Sequence, residues 1–423
     1  MHITRQLFLL ALCAPGLLLA QFTTNSTGAD GAYSPTVSGD FDPVALGINA
    51  AGDNVFNFTT INIPVGVTIK LRASKLRNQA VTWLATGNVT IAGTLDLSGQ
   101  TPTTINTASA AQVTASRVYP EPGPGGYTGG LGSGGGIAPE NGAGPGGGGA
   151  GGVGAVNTAI PCLGGAAAYL TIGPNPYGTA KLGTPYGSYL LVPLYGGSGG
   201  GGGWGSAAGN IGGIGGAGGG GIRIASNTQI SVTGSINAKG GDSGSVGGTN
   251  SGCSGGPGSG GAINLIAPTI LGAGSLVVNS GVYIGGYQNY NGIIRFSTNT
   301  NSFTGNANGG IILGPLYLPP PNSTLTTPNL RITQVNGVNV PINPGGQYLY
   351  PDVIVAASGS VPIAIAAANI PLGTVANLRL TSETGPDQLV TCSALAGTIA
   401  ASTATCTATL PFSVSVGAIR ANW

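Results

Sequence analysis

The side chains that ordinarily perform chemistry are few in this chain and far apart. Among 423 residues there are 13 lysines and arginines, 11 aspartates and glutamates, and one histidine, His2. Because His2 falls within the first five residues, inside the leading signal-like segment, the rest of the chain has no imidazole for a Ser-His-Asp triad, a Cys-His pair or a histidine metal site. Asp30, Asp40 and Asp42 cluster in "DGAYSPTVSGDFD", where calcium would find oxygen ligands, but turn chemistry around the first strands accounts for them better. Asp242, Lys239 and Arg223 are the best set for a lyase-like proton abstraction, and a solvated edge explains the same residues. Gly213, Gly215 and Gly218 match a dinucleotide fingerprint on paper, yet they precede a strand and no helix follows to present its amino end to a phosphate. No cofactor and no metal is expected.

The elements that must position these residues begin with a short basic stretch, Met1 to Arg5, and an apolar run, Leu7 to Ala20, the pattern of a secretory signal over residues 1–20. No later segment is apolar for long enough to span a bilayer as a helix. With 6% charged residues there is no cationic footprint for nucleic acid or an anionic membrane. Four cysteines follow the signal, Cys162, Cys253, Cys392 and Cys406, and in an exported chain an even count favours disulfides over a metal site. Cys392 and Cys406 are expected to bridge neighbouring strands. Cys162 with Cys253 would pin two glycine tracts together, while free thiols or pairing outside the chain also fit.

Glycine supplies 81 residues, and it is periodic. Gly209, Gly212, Gly215, Gly218 and Gly221 recur every third residue, as do Gly123 to Gly135, Gly146 to Gly152 and Gly252 to Gly261. Ile211, Ile214 and Ala217 hold another face of the same tract. A flexible linker has no reason to keep that period; a polyproline II type helix, with three residues per turn, does. Such a helix makes no internal hydrogen bonds, so several must lie side by side to satisfy their backbones.

Between the tracts, "VTIAGTLDLSG", "ISVTGSINAKG" and "ILGAGSLVVNSG" share a strand pattern around Gly93, Gly234 and Gly274, with apolar pairs Leu95 and Leu97, Ile236 and Ala238, Leu276 and Val278. Asp96 aligns with Asn237 and Val277 in an outward row. Repeated strands with one long excursion per copy predict an all-β fold: a β-solenoid, residues 21–317, carrying a layer of polyglycine II helices. A proline-rich linker, residues 318–328, follows. Residues 329–423 read as a small β-sandwich of short alternating strands such as "ATCTATL".

Aromatic residues punctuate the tracts: Trp204 within one, and Tyr127, Tyr283, Tyr287 and Tyr290 in or beside others. Aromatics at tract ends are natural contacts for a glycan or a cell-surface protein. The alternative is that they cap the core.

At "GSGGAINLIAPTILGAGSLVVNSG" and "GGGGIRIASNTQISVTGSINAKGG" the sequence resembles exported, glycine-rich bacterial proteins of β-helical type. The three-residue glycine period is similar to the polyglycine II sandwich in the tip adhesins of some tailed phages, and to glycine-rich antifreeze proteins of springtails. The adhesin resemblance implies receptor binding through loops at the ends of the glycine helices. The last domain is similar to immunoglobulin-like domains of bacterial surface proteins. Together these readings lead to the expectation of a secreted or cell-surface, non-enzymatic adhesive protein. A polysaccharide lyase of the β-helix kind and an ice-binding protein are the rivals.

Overall fold

The motif around Gly93, Gly234 and Gly274 folds as a unit of three strands that recurs along the chain. Val81–Ala85, Val89–Ile91 and Thr94–Asp96 form one unit. Gly221–Ser226, Gln229–Val232 and Ser235–Asn237 form the next. Ala262–Ile266, Thr269–Gly272 and Ser275–Val277 follow, and then Ile293–Ser297, Thr300–Phe303 and Asn306–Asn308. The computed structural model describes residues 22–49, 52–106, 118–134, 138–152, 162–171, 181–205, 211–247, 252–283, 286, 292–319, 328–342, 344, 351–357, 359–382, 388–410 and 417–423. Among these, helix is confined to single turns at Pro43–Leu46 and Ala73–Lys75, and no helix is long and apolar enough to cross a membrane. The leading segment 1–20 and most of the stretch 318–328 lie outside the described residues.

Each unit pairs in parallel with the one before, residue on residue: Trp83 with Ile224 and Ile224 with Leu265, Val89 with Ile230 and Ile230 with Ile270, Leu95 with Ile236 and Ile236 with Leu276. Val55–Ile63 spans two of the three rows, its first half pairing with Val81–Ala85 and its second with Val89–Ile91. That shared strand merges the two rows into one curled parallel sheet of 11 strands, beside a second sheet of 6. Alternate residues face inward, and Phe56, Trp83, Ile224, Leu265 and Phe296 stack as a fully buried ladder within one apolar core. Like residues at like positions therefore fix the register, since a slip of one residue would turn every ladder outward. Gly234 and Gly274 sit where a Cβ would strike the carbonyl oxygens of Gly93 and Gly234 in the preceding unit, so the corner requires glycine.

The long excursions leave and rejoin at matching points. Asp96, Asn237 and Val277, the last strand residues before each departure, are register partners; so are Gly221, Ala262 and Ile293, the positions of return. The glycine tracts fill these excursions and lie side by side. In the stretch 196–205, Gly197, Gly200 and Gly203 donate to the carbonyls of Gly219, Gly216 and Gly213. Gly199 and Gly202 donate to Ala143 and Glu140, and Gly201 and Trp204 donate to Gly165 and Cys162. Its carbonyls accept from Tyr127, Gly130 and Ser133, from Gly148 and Gly151, and from Cys253, Gly256 and Ser259. Partners recur every third residue and come from six separate stretches around one (213–219, 140–143, 162–165, 127–133, 148–151 and 253–259). A Cβ at Gly199, Gly200, Gly201, Gly202 or Gly203 would run into the carbonyl of Thr128, Gly256, Gly149, Leu131 or Cys253 in turn. At these five positions side chains are excluded because a neighbouring backbone already occupies the space. Cys162 and Cys253 are joined by a disulfide, and Trp204 bonds through its backbone to both.

Beyond residue 328 the strands become antiparallel. One sheet of 5 strands contains Asn329–Val335, Gly359–Ala368 and Ala401–Leu410, and one of 3 strands contains Gln388–Ala394, Val375–Ser382 and Gly417–Asn422. Ile363, Ile365, Leu378, Leu380 and Ala404 share one buried cluster between them. Cys392 and Cys406 are bonded, but their strands belong to different sheets, so the bond ties sheet to sheet rather than neighbour to neighbour as the sequence suggested. Both side chains point into the core. The alternation of Ala404, Cys406 and Ala408 inward with Thr405, Thr407 and Thr409 outward sets that direction.

Candidate functional site

The acidic residues of the first strands are spent on structure. Asp42 caps the turn Pro43–Leu46, accepting from the backbone N–H groups of Val44 and Ala45 at 3.1 and 3.2 Å, and pairs with Lys75 at 2.8 Å. The Lys75 ammonium, helped by those two N–H donors, holds the Asp42 carboxyl below the usual carboxylate range. Asp40 pairs with Arg72 at 2.9 Å, and Asp30 accepts from the backbones of Asn49 and Asn57. Turn chemistry thus describes Asp42, whereas Asp40 ends a strand in an ion pair and Asp30 ties two distant backbone segments. Among the described residues no group of three His, Cys, Asp or Glu is placed to hold a metal ion.

Lys239 and Asp242 form a pair at 2.8 Å, and Asp242 also accepts from Val282 N–H. Arg223 is not with them. It projects from the outer face of Gly221–Ser226 and donates to the carbonyls of Pro319 and Leu191. Gly213, Gly215 and Gly218 donate their N–H groups to Cys253, Gly130 and Tyr127, leaving no N–H cradle for a phosphate there.

The aromatic residues divide. Tyr283 is 3% exposed, its ring packs by Ala166, and its hydroxyl donates to Gly164 O at 2.9 Å, so it closes the core rather than the surface. Tyr127 is half-buried, and burial pushes its phenol up to about 12. Trp204 is half-buried within the glycine layer. Tyr287 and Tyr290 lie outside the described residues.

The surface that the sequence reading missed is the connection between the stretches 181–186 and 196–205, "YGSYLLVPLY". Leu191 and Leu194 anchor it in an apolar cluster with Tyr169 and Ala262, with Tyr186 and Tyr195 packed against it. The ring centroids of Tyr169 and Tyr186 are 4.8 Å apart. Tyr186 donates to Gly196 O and Tyr169 to Tyr195 O, so phenols stop the glycine layer at this end. Tyr189 and Leu190 then stand out at 58% and 60% exposure, with Tyr317 at 60%. Leu191, a branched residue, is held at φ 52°, where side chains are strained.

Beneath this loop runs an outward row on the curled sheet: Thr82, Arg223, Asn264, Arg295 and Ile312 in register. Arg295 donates to Tyr189 O at 3.2 Å, and Arg223 reaches Leu191 O. Burial lowers the Arg223 guanidinium to about 10. The signal was present in the sequence as aromatics and prolines crowded between two glycine tracts. The arginines on neighbouring strands were visible only once the register was known.

No protein-family model, no curated protein and no solved structure matches this chain.

Proposed function

We propose that this is an exported, non-enzymatic surface protein that adheres to a glycan or cell-surface partner through the loops ending its glycine segments. In this reading the curled parallel sheets are a β-solenoid, the glycine segments are polyglycine II helices, and residues 329–423 are an immunoglobulin-like sandwich. Support for the solenoid comes from three strands per unit stacked in register. Support for polyglycine II comes from the three-residue recurrence of lateral bonds around the stretch 196–205. The observation that carries the binding role is the exposure of Tyr189 and Leu190, where the glycine layer is closed by other phenols, and of Tyr317, whose segment is tied to the same loop by Arg223 donating to both Leu191 and Pro319. Large apolar groups grouped on a surface mark contact sites.

The test is binding of the purified protein to immobilised glycans and to intact cells, compared with the double variant Tyr189→Ser, Tyr317→Ser. Affinity should fall by about tenfold or more. Undiminished binding by the variant would move the contact elsewhere, and turnover of a polysaccharide would end the non-enzymatic reading.

One further observation favours a second reading. Thr68, Thr94, Ser235, Ser275 and Asn306 form a register row of hydroxyls and an amide on the other sheet. Such a flat polar row suits ice, and thermal hysteresis in solution decides that reading.

A further inference from the structure

Asn264 is the least satisfied side chain of the outward row. It is fully buried, and neither its Oδ1 nor its Nδ2 has a hydrogen-bond partner. Buried amides are almost always bonded to protein or to something bound, and one with both ends open marks a place where a partner fits. Arg223 and Arg295 flank it on the two adjacent strands. At about 4.8 Å between strands, the two arginines leave the sheet roughly 10 Å apart with the amide midway.

Arg295 donates to a neutral carbonyl of the cover, that of Tyr189, and the contacts of Arg223 include the carbonyls of Leu191 and Pro319. Among the described residues, Asp40 and Glu121 pair with Arg72, Asp42 with Lys75, Asp242 with Lys239 and Glu140 with Arg379 and Arg420, and none of these carboxylates reaches Arg295. Arg295 is 9% exposed, the nearest of the three to solvent, and its guanidinium lies against the backbone of Gly314 and donates to Tyr189 in the lip from Gly187 to Leu190. Gly187 has φ 88°, a setting that suits glycine and gives that lip a pivot.

We propose that Arg295 and Asn264 bind the carboxylate of an acidic sugar, with Tyr189 and Tyr317 holding the sugar ring. The planar fork of a guanidinium matches a carboxylate, and the amide NH₂ completes its second oxygen. Carboxylate oxygens replace the Tyr189 carbonyl on Arg295 as the lip swings out. Aromatic faces on the rim suit the C–H side of a pyranose. This inference rests on the glycan-binding reading above and narrows it to uronic acids.

The experiment is titration calorimetry of the full chain with β-1,4-linked oligoglucuronate and with cellohexaose, which has the same backbone without the carboxylates. Oligoglucuronate should bind at least about tenfold more tightly, and its affinity should fall as salt rises. Asn264→Leu keeps the volume and breaks no bond in the free protein, so it should leave the melting temperature unchanged or higher while lowering oligoglucuronate affinity by about tenfold. Arg295→Gln should lower it further. Equal affinity for the two sugars, or unaltered affinity in Asn264→Leu, would overturn the carboxylate site and leave the glycan-binding reading standing. Binding of neutral glycans alone does the same. No binding to any glycan would remove both.

Discussion

Arg379 and Arg420 are direct cross-strand partners in the three-stranded sheet, and both guanidiniums close on the single carboxylate of Glu140, at 3.4 and 3.5 Å. Like charges opposite one another across a sheet repel; here the carboxylate between them reverses the sign. Tyr119 donates its hydroxyl to Glu140 at 3.0 Å, and Arg420 lies 4.7 Å over its ring. Glu140 itself accepts from Gly202 through its main chain. A residue of the glycine layer therefore holds the antiparallel half of the protein.

Removing that carboxylate should unfasten the junction. Glu140→Gln leaves two mostly buried cations facing each other and should cost about 3 kcal/mol. The thermal melt should show it, and Glu140→Gln with Arg379→Met should recover part of the loss. An unchanged melt in the single variant would mean the cluster holds nothing.

The glycine layer predicts a contrast between two conservative substitutions. At Gly202 a methyl would enter the carbonyl of Leu131, whereas at Gly39 nothing lies within reach. Gly202→Ala should destabilise by at least about 2 kcal/mol, and Gly39→Ala should be close to neutral. Hydrogen exchange across 127–133 should quicken in the first variant alone.

Much of this was legible beforehand. The three-residue period marked the layer because backbones packed on all sides leave room only for hydrogen, and Ile211 and Ile214 fell into a buried cluster with Leu131, as a separate apolar face requires. Leu95, Ile236 and Leu276 were readable as one ladder for the same reason that fixes register. The Glu140 cluster and the row Arg223, Asn264, Arg295 were not readable. Each depends on residues brought together by strand order over long separations, and no local pattern encodes that order. Tyr283 misled because an aromatic that ends a glycine stretch looks the same in sequence whether its ring faces in or out.

The disulfide between Cys162 and Cys253 closes a span of 91 residues. Cys162→Ser with Cys253→Ser should cost about 4 to 5 kcal/mol in the chain-entropy treatment. Denaturant titration checks it: without reductant the wild type should be the more stable by that amount, and in reductant, which also opens Cys392–Cys406, wild type and variant should coincide.

Alkali should open the protein cooperatively. Burial raises the phenols of Tyr33 and Tyr127 to about 12, and it raises Tyr119, Tyr169 and Tyr186 as well. A group harder to ionise in the fold than in the open chain contributes stability that is whole below about pH 10 and lost as pH rises through 12. The phenolate absorbance of these buried rings should therefore appear together with the loss of circular dichroism, after that of exposed tyrosines such as Tyr189 and Tyr317. Ionisation of the full complement of tyrosines with the β signal intact would contradict the burial of these rings.

Six stretches around one, with backbone against backbone, also set how the protein responds to temperature. Unfolding such a bundle uncovers peptide groups more than hydrocarbon, and polar exposure lowers heat capacity where apolar exposure raises it. The heat-capacity change per residue should accordingly lie below that of an ordinary domain, which flattens the stability curve at both ends. A glycine layer of this kind gives up little of its cohesion in the cold, where cores of leucine and isoleucine lose part of theirs.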